Sequence, residues 1–189
     1  MREYIARDPK TGKPLSTGRK RSHGLELAYR PGEGAWDAIP LDRILPLANG
    51  EIEVESVIWK DKERLLRRTD AIRALPRVRG KNQQEAHRAL ESALGHLDTR
   101  LRIAGLESLP YCALQNSESL FEHLHELLED IDPEVQKSAQ KCLVIVAPVF
   151  PSATEETMRR ELRTQEKTRQ RSAFEALKQV ADSWPEVAE

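Results

Sequence analysis

The chain has 189 residues, 39% of them hydrophobic and 32% charged, with 30 Lys or Arg against 31 Asp or Glu. A chain of this size buries well over half of the surface it exposes when unfolded, so neither a disulfide framework nor a structural metal is required for stability. The longest apolar run, Cys142 to Ala147, falls far short of the roughly 18 to 20 residues that span a bilayer, which excludes a transmembrane helix. Met1-Arg2-Glu3-Tyr4 opens no signal-peptide core, and Cys112 and Cys142 show no CxxC-type spacing, so the expected compartment is the reducing cytoplasm.

Charge is unevenly spread. Residues 1–30 hold eight Arg or Lys against three acids, a net of about +5, and the remainder is about −6. Residues 1–40 read as a basic arm broken by Pro9, Pro14, Pro31 and several glycines. Asp8-Pro9-Lys10-Thr11-Gly12-Lys13 reads as a turn between short strands at Tyr4–Ala6 and Pro14–Ser16, giving either a loose hairpin or a disordered arm. Residues 41–60 read as a connecting segment or N-terminal cap. Within it Glu51-Ile52-Glu53-Val54-Glu55 alternates polar and apolar after Asn49-Gly50 and is a strand candidate, or equally a helix lead-in.

Residues 61–189 read as helical and repetitive. Asp98, Leu101, Gly105 and Leu109 superpose on Asp132, Val135, Ala139 and Leu143 with a shift of 34 and no gap. The same shift reaches Arg169, Ala173 and Leu177 downstream, and Arg67, Ala71 and Leu75 upstream. Apolar, small and leucine positions four apart lie on one helical stripe, where the small side chain lets a neighbouring helix approach. Asp98 and Asp132 stand where helix caps belong, and Pro133 fills a first helical position. Amphipathic segments precede each copy at Gln83–Leu97, Ser119–Asp130 and Thr154–Gln165, so the unit is a helical hairpin. The fourth copy, with Arg169 at the apolar position, reads as an end copy that meets water.

The acid, the apolar residue three positions on, and the small residue and leucine at four-residue steps resemble the HEAT repeats. The likeness covers roughly residues 61–182. It implies an all-α fold, a short right-handed alpha-solenoid of stacked helical hairpins behind an irregular or small β-hairpin arm. Two departures stand out. Arg67 and Arg169 replace the apolar residue in the outer copies, and the Arg that follows it in HEAT units is matched by Arg68 and Arg102 but becomes Gln136 and Gln170. Tetratricopeptide repeats share the period, but their Trp, Gly and Tyr positions are not met.

No constellation for catalysis emerges. His123 and His125, two apart on a helix, point in different directions and cannot easily share a metal; they read as surface partners of Glu126 and Glu129. His87 with Glu91 reads likewise, both cysteines read as buried thiols, and Thr11-Gly12-Lys13 lacks the context of a P-loop. We expect no catalytic residue, cofactor, metal or small-molecule substrate. The informative charges are a row on the second helices, Arg68, Arg102, Lys137 and Arg171, and the arm residues Lys10, Lys13, Arg19, Lys20 and Arg21. Solenoids of this kind act as scaffolds and adaptors, which makes a non-enzymatic module binding a protein partner the first expectation. Nucleic-acid binding through phosphate contacts of the arm and row is the alternative. An enzymatic version, a HEAT-like DNA glycosylase, needs aromatics and an acid around the concave face, and Trp36, Trp59 and Trp184 fall outside the middle repeats.

Overall fold

A computed structural model describes residues 5–7, 26–28, 32–112 and 117–183. They are mostly helical, with eight α-helices and two small two-stranded antiparallel sheets. Strand β1 (Ile5–Arg7) pairs with β2 (Glu26–Ala28) in the register Ile5↔Ala28. The expected partner of the first strand, Pro14–Ser16, lies outside the described residues. The chain divides into two compact units. One holds the described residues of Tyr29–Ala113, and the other those of Leu114–Glu189 with β1 and β2.

In the first unit, α1 (Leu41–Asn49) occupies what reads in sequence as a connector. Ile44, Leu45, Leu47 and Ala48 are its buried side. Gly50 ends it in the left-handed conformation, φ 81°, where a residue with a Cβ is disfavoured. The amides of Glu51 and Ile52 then bond back to the Pro46 carbonyl, which spends the first residues of the expected Glu51–Glu55 strand on capping. The strand starts four residues later: β3 (Glu55–Trp59) pairs with β4 (Lys62–Leu66) around the turn Lys60–Asp61. After α1, helix therefore resumes at α2 (Arg68–Ala74), not near residue 60, because Val57 and Leu66 fix a period of two by burying one face of the hairpin. Arg67, at the apolar repeat position, is the exposed N-cap of α2, so the first copy is truncated, although Ala71 and Leu75 are buried as expected.

The period of 34 is written into the helix boundaries. First helices α3 (Gln83–Leu94), α5 (Ser117–Leu128) and α7 (Pro151–Leu162) begin and end at intervals of 34 residues. Second helices α4 (Thr99–Ser108), α6 (Pro133–Val146) and α8 (Lys167–Ser183) begin at the same interval. Within the first unit α1 pairs with α2 and α3 with α4, while α2 packs on α4 and α1 on α3. Within the second, α5 pairs with α6 and α7 with α8, while α6 packs on α8 and α5 on α7. The small repeat residues Ala71, Gly105, Ala139 and Ala173 are all buried. A Cβ placed on Gly105 would lie 2.8 Å from Cδ2 of Leu94, so the absent side chain is what lets α3 and α4 close together.

Hydrogen bonds repeat with the helices. Asp98 and Asp132 accept from the amides of Arg100 and Glu134, each at 2.9 Å, satisfying donors that a helix start leaves free. Arg100 adds a side-chain bond to Asp98, which with the backbone bond holds that carboxyl down at about 2. Ahead of each cap, the His96 ring and the Asp130 carboxylate accept from the Asp98 and Asp132 amides.

The outer repeat positions depart from the sequence reading. Arg169 is only partly exposed; its guanidinium packs against Glu161 with three contacts of 2.7, 2.8 and 2.9 Å, and reaches Glu129 at 3.2 Å. An ion pair thus stands where Leu101 and Val135 stand in the other copies.

Candidate functional site

The four basic-row residues have two different fates. Arg68 donates from Nε to the Ala48 carbonyl at 2.8 Å, and Arg102 donates from Nη1 to the carbonyls of His96 and Leu97 at 2.8 and 3.0 Å. Both hold backbone carbonyls and are partly exposed. Gln136 and Gln170, which take the place of the repeat arginine, make the same kind of bond to Asp130 and Thr164 at 2.7 and 2.6 Å. An amide substitutes because the task is donation to a carbonyl, which needs an N–H and no charge.

Lys137 and Arg171 are instead exposed. They occupy equivalent places on α6 and α8, and Lys137 lies 3.8 Å from Glu134. The arm residues Lys10, Lys13, Arg19, Lys20 and Arg21 lie outside the described residues.

Around Arg171 the structure assembles a site that the sequence reading missed. Lys167, Arg171, Phe174 and Lys178 follow one another at steps of four, three and four along α8, which places them on one stripe. Ala173, Ala176 and Val180 bury the opposite side. Phe174 is 62% exposed, and among the described residues none of its three cationic neighbours is in an ion pair. The stripe was present as spacing in the sequence, but a lone Phe beside a buried Ala reads first as core.

A concavity of about 440 Å³ is lined by His125, Ser152, Glu155, Glu156, Arg159, Arg160 and Arg163. Two of its three arginines are in ion pairs: Glu155 holds Arg159 at 2.7 Å and Glu129 stands 3.5 Å from Arg160. His125 does not pair with Glu129 as the sequence suggested. Thr157 spends its hydroxyl proton on the Ala153 carbonyl, so His125 donates from Nε2 to Thr157 Oγ1 at 2.9 Å. Its Nδ1 is left to accept from Arg160 at 3.4 Å.

Burial, and then the Arg160 charge, lower the His125 pKa. The folded state favours the neutral ring, so the unfolded chain binds the extra proton first, and stability falls as pH drops below the ordinary histidine value of about 6.5. Thermal melts at pH 7.5 and 5.5 are expected to show a larger loss for the wild-type chain than for His125→Gln.

Both cysteines are buried. Burial pushes the Cys112 thiol up to about 12, and Cys142 is also raised. A thiol reagent is therefore expected to leave both unmodified at pH 7.5 until the chain is unfolded; rapid labelling of the native protein would contradict this burial.

No described helix is long and apolar enough to cross a membrane, and no cluster of three His, Cys, Asp or Glu among the described residues is arranged to hold a metal. Comparison of the chain with family models, with curated proteins and with solved structures returns no match. The class stated from structure is therefore a mostly helical protein of repeated hairpins.

Proposed function

We propose that this chain is a non-enzymatic binding module whose 34-residue unit is a HEAT-like repeat and whose ridge of second helices engages a protein partner. The supporting observation is the α8 stripe, with Phe174 exposed among Lys167, Arg171 and Lys178. Fold maintenance does not use this face. An exposed aromatic flanked by uncommitted cations fits a partner with an apolar pocket rimmed by carboxylates, because aromatic anchors dominate interface energetics and rim charges steer encounter. The basic arm, with Lys10, Lys13, Arg19, Lys20 and Arg21, adds long-range attraction to the same kind of partner. The solenoid reading and the adaptor role both follow from the repeat resemblance and stand or fall with it.

Arg68 and Arg102 donate to carbonyls, which leaves fewer cations for phosphate contacts and disfavours the nucleic-acid alternative through the row. Capture experiments from the source cell with the full chain and with Phe174→Ala and Arg171→Glu test the proposal. A specific protein retained by the wild type and lost with either variant is expected, with folding stability unchanged within about 0.5 kcal/mol. Titrations with duplex and single-stranded DNA at two salt concentrations, with and without residues 1–30, test the alternative. Micromolar or tighter binding that weakens steeply with salt would replace the protein-partner reading with phosphate binding, to which Phe174 would contribute base stacking.

A further inference from the structure

The β3–β4 hairpin belongs to the first unit, and the α8 stripe to the second. Its turn residues Lys60 and Asp61 have φ values of 50° and 60°, the primed-turn geometry of a two-residue hairpin loop. In such a loop the flanking residues Trp59 and Lys62 exchange hydrogen bonds, and bonded and non-bonded pairs alternate from there. The register Ile58↔Glu63, Val57↔Arg64 and Ser56↔Leu65 then turns the backbone N–H and C=O of Glu63 and Leu65 away from β3. No third strand among the described residues borders β4, and no described backbone bond from another element ends on those two residues.

Side chains give this edge a selectivity. Leu65 and its diagonal neighbour Ile58 share one face of the hairpin and are 67% and 70% exposed. Lys62 and Arg64, both exposed, project to the other face at the edge. Glu63 is already engaged, accepting from Ser56 Oγ at 2.6 Å. Charged residues commonly guard an edge strand against pairing, and a hairpin serving that purpose alone would have no reason to hold two aliphatic side chains out in water.

We propose that the free edge of β4 takes up an extended segment of a partner protein in which acidic and apolar residues alternate. The added strand bonds to the backbone of Glu63 and Leu65, sets carboxylates beside Lys62 and Arg64, and lays an apolar side chain against Leu65. The period of two in a strand is what allows one peptide to satisfy both faces at once.

Fluorescence anisotropy with the full chain tests this. The labelled probe is a capped peptide alternating glutamate with valine. Controls are its lysine–valine counterpart and a version with methylated backbone nitrogens. The glutamate peptide is expected to bind saturably and at least about tenfold more tightly than either control. Lys62→Glu with Arg64→Glu should transfer the preference to the lysine peptide. Phe174→Ala with Arg171→Glu should leave binding unchanged, which separates this edge from the α8 stripe. Absence of saturable binding, indifference to backbone methylation, or loss of binding with the α8 variant would overturn the proposal.

Discussion

Replacing Arg169 by leucine is expected to cost about 1–3 kcal/mol of folding stability, because the buried Glu161 carboxylate loses its partner while Arg169 itself is only partly withdrawn from water. Glu161 is only 4% exposed, and its carboxylate takes its close contacts from Arg169. Changing both residues, Arg169→Leu with Glu161→Leu, should recover most of the loss. Leu101 and Val135 show that an apolar residue suits the equivalent position in the neighbouring copies. Urea unfolding of the wild type, the single variant and the double variant checks this. A single variant as stable as the wild type would mean that the pair carries no structural weight.

The second large effect is expected from Ala139→Trp. Ala139 is fully buried on α6, which packs on α5 and α8, and an indole there must displace its neighbours, with a destabilisation of about 3 kcal/mol. Lys137→Trp, two residues away on the exposed side of the same helix, is the control and should change stability by less than about 0.5 kcal/mol. Equal melting temperatures for the two variants would mean that the assigned phase of the repeat is wrong.

The parts of this fold that were legible are those governed by local chemistry. Asp98 and Asp132 announced helix starts because a short carboxylate before a helical pattern has one common use. Gly105 and Ala139 announced close packing because their spacing matched a helical face. The partner of Arg169 was not legible: Glu161 lies eight residues back on the preceding helix, and only the packing of α7 on α8 brings them together. The roles of Arg68 and Arg102 were hidden for a similar reason, since a carbonyl that needs a donor leaves no mark in a sequence. The strand was misplaced because Glu51–Glu55 alternates well, whereas Gly50 and the capping bonds behind it claim its first residues. At the candidate site, spacing revealed Arg171 but could not reveal that Phe174 faces water.

The repeat itself is tested most directly by backbone chemical shifts, which locate helix boundaries residue by residue in solution. The expected result is three first helices starting at Gln83, Ser117 and Pro151, and three second helices starting at Thr99, Pro133 and Lys167, with breaks before each second helix. Helix running unbroken through residues 95–98 or 129–132, or starts that drift from the common interval of 34 residues, would contradict the account.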